Sequence, residues 1–131
     1  MKLNSITSGA MLILGLLGGL QAAQAEPSAA MRGRIAFMRC AACHALAAGE
    51  PHKTGPNLRG AIGAPAAQAA GYSYTPALRQ SGLRWDDATL KQWVRDPAAL
   101  VPGTSMAYSN TLADADIDAL LIYLKSETQP R

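Results

Sequence analysis

The chain contains two cysteines, Cys40 and Cys43, and a histidine, His44, follows the second directly. Cys-x-x-Cys-His is the attachment signature of a c-type haem. Each thiol adds across one vinyl group of the porphyrin, and the histidine is held beneath the iron as proximal ligand. Two other uses of the pair fit less well. A disulfide that closes so short a loop stabilises little. A thioredoxin-like redox pair wants a βαβ context, and the flanks show no strand pattern.

The remaining composition agrees with one small helical domain. Its 131 residues suit a single domain. One phenylalanine and few β-branched runs argue against a sheet, so the expected class is all-α. A core of this size is marginal, and a covalently held apolar macrocycle would supply much of it. A net charge of +3 with no Lys/Arg run does not point to nucleic acid.

The first 25 residues read as a secretory signal peptide. Lys2 gives a positive start, Met11 to Leu20 is apolar but too short to cross a membrane, and Ala23-Gln24-Ala25 is a small-x-small cleavage site. The expected domain is therefore 26–131, with no stable membrane insertion after cleavage. Export agrees with a haem attached outside the cytoplasm, and the expected compartment is the bacterial periplasm.

Local signals predict the helices. Ser28 is a plausible N-cap for a helix over 28–43, with Gly33, Phe37 and Cys40 sharing one face. Repeated Gly and Pro make 44–75 a long loop, which makes sense wrapped around a cofactor edge. Thr75-Pro76 opens a short helix over 76–82. Asp86 or Asp87 caps one that runs to Asp96, with Pro97 as its stop. The segment 98–113 reads as irregular. Asp114 or Asp116 caps a last helix to Glu127, in which Ile117, Leu120, Leu121 and Leu124 follow an amphipathic period.

These pieces together resemble class I cytochromes c, and among them the bacterial periplasmic, cytochrome c2-like members. The resemblance rests on Gly33-x-x-x-Phe37-x-x-Cys40-x-x-Cys43-His44 and His52-Lys53-Thr54-Gly55-Pro56-Asn57-Leu58. It continues through Gly71-Tyr72-Ser73-Tyr74-Thr75, Trp85, Pro102-Gly103-Thr104-Ser105-Met106 and Leu120-Leu121-Ile122-Tyr123-Leu124-Lys125. It implies a class I cytochrome c fold, with several short helices and long loops around one covalent haem c. It further implies Met106 as distal ligand opposite His44, and Pro56 as the carbonyl that accepts the proximal imidazole N–H. Tyr74 and Trp85 would reach a haem propionate, and His52 would bridge loops without ligating. Gly33 and Phe37 would pack on Leu120 and Tyr123.

There are departures. Trp93 stands where the family often has a tyrosine that bonds the methionine sulfur. Ala64 and Ser105 replace a common arginine and a common lysine, so the usual basic ring at the haem edge is mostly missing. Arg39 and Lys53 remain as rim residues. The implied activity is one-electron transfer between redox protein partners by a monomer that is not an enzyme. Alternatives are a small peroxidase-like haem enzyme or sensor with a labile Met106, and a dedicated electron-transfer subunit of a dehydrogenase.

Overall fold

In a computed structural model, residues 27–128 are described; the expected leader and its expected cleavage site lie outside them. Five helices follow in order: α1 (Ala29–Phe37), α2 (Pro76–Gln80), α3 (Asp87–Arg95), α4 (Pro97–Leu100) and α5 (Asp114–Thr128). Among the described residues there is no strand, only one isolated bridge between Pro65 and Arg84.

Most helix starts follow from side chains that cap them. Ser28, Thr75 and Asp86 accept from the N–H three residues on, at Met31, Leu78 and Thr89. Three expectations need correction. The first helix ends at Phe37, and 38–43 continue as tight turns that deliver the two thiols, with Cys43 N–H bonding Cys40 O at 3.0 Å. Asp96 and Pro97 stop α3 and also start α4, because the Asp96 carboxylate accepts from Ala99 N–H and Pro97 sits at the first helical turn. Neither Asp114 nor Asp116 caps α5. The N–H groups of Asp116 and Ile117 bond to the carbonyl of Ala113, and both aspartates lie inside the first turn, where the helix dipole favours them.

The frame is the contact of α1 with α5. A Cβ on Gly33 would overlap the Ala119 carbonyl and lie 2.7 Å from Tyr123 Cβ. The partners of Gly33 are thus Ala119 and Tyr123, one position off the Leu120 expected. Phe37 stacks on Tyr123 with ring centroids 5.7 Å apart. Around this contact Ala36, Phe37, Leu90, Val94, Ile117, Leu120, Leu121 and Leu124 form the main apolar cluster. The C-terminus of α5 is tied to the loop, since Gly60 N–H bonds Thr128 O at 2.9 Å.

Asp86 also gives a pH prediction. The Thr89 N–H and hydroxyl hold its carboxyl below the usual carboxylate range. A depressed native pKa stabilises the fold above the ordinary range, and that stabilisation is lost as pH falls through the depressed value. Asp86→Asn keeps a good cap. It should leave the neutral-pH melting temperature nearly unchanged and flatten its acid limb, as thermal scans across pH would read.

Candidate haem site

One cavity of about 420 Å³ lies between the 54–69 loop, α3, the 104–108 loop and α5. Cys40, Cys43, His44, Pro56, Tyr74, Trp85, Trp93 and Met106 all line it, so every residue expected to hold or contact the haem borders the same space. Leu58, Ile62, Leu78, Leu90, Leu120 and Leu124 give it apolar walls.

On one side, the turn after α1 presents both cysteines as free thiols, Cys40 half-buried and Cys43 exposed. Burial, and then the neighbouring Cys43, push the Cys40 thiol up, while Arg39 opposes them. His44 Nδ1 donates to the Pro56 carbonyl at 2.8 Å. That bond fixes the tautomer and leaves Nε2 as a lone-pair donor. Burial lowers the imidazole pKa; the Pro56 bond opposes this and Lys53 adds to it, so the ring is held neutral. Gly55 lies against the ring: a Cβ there would sit 2.8 Å from both imidazole nitrogens. No local pattern in the sequence marks this contact, which arises only when the loop after His44 folds back onto the ring.

Across the cavity, Gly103, in a left-handed turn, is followed by Met106, whose N–H bonds Thr104 Oγ1 at 3.3 Å. Its side chain packs against the second apolar cluster of Ala66, Leu78, Trp93 and Val101. Trp93 tilts on Trp85 at a centroid distance of 5.1 Å. Among the hydrogen bonds of the described residues none joins the Trp93 indole to the Met106 sulfur; the two belong to the same apolar cluster. The Tyr74 hydroxyl accepts from Ala69 N–H at 3.2 Å, which leaves its own proton free to donate. Burial pushes that phenol up, the Ala69 bond opposes, and Tyr72 adds to the rise. Tyr108, half-buried on the cavity wall, is a lining residue the sequence reading missed; an aromatic two positions past Met106 was its signal.

His52 uses both nitrogens to bridge loops: Nε2 donates to Ala70 O and Nδ1 accepts from Asn57 N–H, each at 2.9 Å. Arg39 and Lys53 are exposed but tethered, Arg39 to Thr111 Oγ1 and Lys53 to Ala41 O at 2.8 Å.

The donor set fits an iron porphyrin. Two unpaired thiols border the cavity, one imidazole is held in the ligating tautomer, and a soft thioether borders the same space. Such a fold and site define a protein that wraps one covalent haem. The comparisons agree. The family profile described as cytochrome c matches residues 30–128. Cytochrome c-550 of Bradyrhizobium diazoefficiens is 39% identical over 95 residues, covering 72% of this chain and 70% of that one. Cytochrome c2 of Rhodoplanes tepidamans is 40% identical over 92 residues, covering 70% and 86%. The solved structure of cytochrome cH from Methylobacterium extorquens superposes with a TM-score of 0.69 at 43% identity, covering 74% of this chain and 97% of that one. The chain belongs to the cytochrome c family, as a class I, bacterial c2-like member. It is a single-haem electron carrier with a covalently attached haem c, and not an enzyme.

Proposed function

We propose that Cys40 and Cys43 carry the haem, that His44 Nε2 and the Met106 sulfur are its axial ligands, and that the chain shuttles electrons in the bacterial periplasm as a monomer. The observation that carries this reading is the bond from His44 Nδ1 to Pro56, which leaves Nε2 free beside a cavity that Met106 also borders. When bound, the haem supplies a one-electron iron couple. The Pro56 carbonyl would hold the imidazole and the Pro102-Gly103 turn would place the thioether, so little would have to reorganise when the iron changes oxidation state. A thioether is a soft neutral donor that favours ferrous iron and raises the potential. Tyr74 and Trp85 supply donors for the propionates. Residues 1–25 serve as the export leader, cut after Ala25.

Exchange takes place with a donor and an acceptor protein through the edge beside Cys40 and Cys43. Ala42, Cys43, Ser105 and Ala107 are exposed and uncharged there, and the rim cations Arg39 and Lys53 are few and tethered. Charge steering is therefore weak. The rate of oxidation by membranes of the organism that makes the protein should fall less than roughly tenfold between low and physiological salt. A steeper fall would overturn the weak-steering reading.

A further inference from the structure

The exposed rim of the haem site carries little charge of either sign. Among the residues that border the cavity only Arg39 and Arg59 are charged, and no carboxylate is among them. Arg59 donates to the Glu127 carbonyl at 3.2 Å, near the end of α5, and Arg39 donates to Thr111 Oγ1. The second bond lays the loop after Met106 against the attachment turn, where Cys40 and Tyr108 pack on the same apolar cluster. The rim thus joins exposed Ala42 and Cys43 on the turn to exposed Ser105 and Ala107 on the loop. Away from it, Lys91, Arg95 and Lys125 pair with Asp118, Asp114 and Asp87 between α3 and α5.

We propose that a second copy of this chain is itself a redox partner. Two copies meet rim to rim across a twofold axis, and a reduced copy passes one electron to an oxidised one. The inference rests on the covalent haem and the His44 and Met106 ligation proposed above. In a twofold contact the same patch faces itself, so every charge near the axis meets its own image. A rim ringed by cations selects an oppositely charged partner and repels its own copy. Here the attachment turn brings one cation, Arg39, and small uncharged side chains let the two rims approach closely. One image pair of unit charges about 12 Å apart in water slows the encounter by about a factor of two. Physiological salt removes most of that cost. The contact is small and transient, as redox encounters are, so the chain at rest stays a monomer. One copy is oxidised, the other is reduced, and nothing else is consumed. Electrons can therefore pass from copy to copy between a donor and an acceptor that never meet.

The test is line broadening in nuclear magnetic resonance spectra of mixed reduced and oxidised holoprotein, which reads the rate of electron exchange between copies. The rate should rise in proportion to protein concentration, at about 10⁵–10⁷ M⁻¹s⁻¹, the range for docking without steering. It should change by less than about threefold between low and physiological salt. Arg39→Gln should raise it about twofold at low salt. Ala42→Lys with Ser105→Lys should slow it by about tenfold or more at low salt, and physiological salt should recover most of the loss. A chain with Ala42→Glu and Ser105→Glu should exchange with the lysine pair faster than either exchanges with itself. A parent with the sulfur-to-iron band whose exchange climbs more than about tenfold with salt would overturn the contact. So would a lysine pair that leaves the low-salt rate unchanged. A parent without that band would instead overturn the ligation beneath it, so the two failures are told apart.

Discussion

Gly55→Ala is expected to push the His44 imidazole off the Pro56 carbonyl and destabilise the holoprotein by about 1–3 kcal/mol, the range of overpacking a filled site. The added methyl would lie 2.8 Å from both ring nitrogens, inside van der Waals contact. Neither partner can retreat. The ring is held by Pro56 at 2.8 Å, and the Gly55 N–H bonds the Cys43 carbonyl at 2.8 Å, so the backbone is fastened to the attachment turn itself. An ordinary Gly→Ala change at a compatible position would instead stabilise slightly, by about 0.4–1 kcal/mol. The sign therefore separates a steric role from a neutral one. Thermal unfolding of the holoprotein, with circular dichroism in the haem band to read the axial geometry, checks it. A melting temperature equal to or above that of the parent would refute the packing described.

Gly33→Ala should cost more. Its methyl would overlap the Ala119 carbonyl and crowd Tyr123 Cβ at 2.7 Å, so the α1–α5 pair has to separate. Phe37 and Ala36 are anchored in that contact and in the main cluster, and they would loosen with it. A loss of about 3 kcal/mol or more is expected, toward the diagnostic end for a single substitution. For a domain of this size that lowers the melting temperature by about 12–20 °C. The main obstacle is backbone. Tyr123→Gly, which removes the crowded Cβ, should therefore leave the cost of Gly33→Ala nearly unchanged, and a cost near zero in that background would show that the side chain alone was in the way.

These two glycines show what could be read from the residues and what could not. The attachment turn was legible because its chemistry demands a fixed spacing of two thiols and an imidazole. The helix starts at Ser28, Thr75 and Asp86 were legible because capping is local: a side-chain oxygen bonds an N–H three residues on. Local reasoning failed at α4, where Asp96 and Pro97 serve as a stop and as a new start. It failed at the end of α1, where the turns carrying the thiols keep near-helical hydrogen bonds without continuing the helix. The residues singled out for the site all border one cavity, because motif order already carries long-range information. The contact of Gly55 with His44 and the gathering of Trp93 and Met106 in one apolar cluster were hidden, since both depend on how the loops fold back in space. The tethering of Lys53 to Ala41 was hidden for the same reason.

The central proposal is a porphyrin iron held between His44 and Met106. An optical spectrum of the exported holoprotein at neutral pH, in both redox states, tests it most directly. The ferric form should show the sulfur-to-iron charge-transfer band, and the ferrous form should bind no carbon monoxide. Met106→Ala should abolish the band and open the iron to carbon monoxide. A parent protein without the band, or a Met106→Ala variant with an unchanged spectrum, would contradict the account.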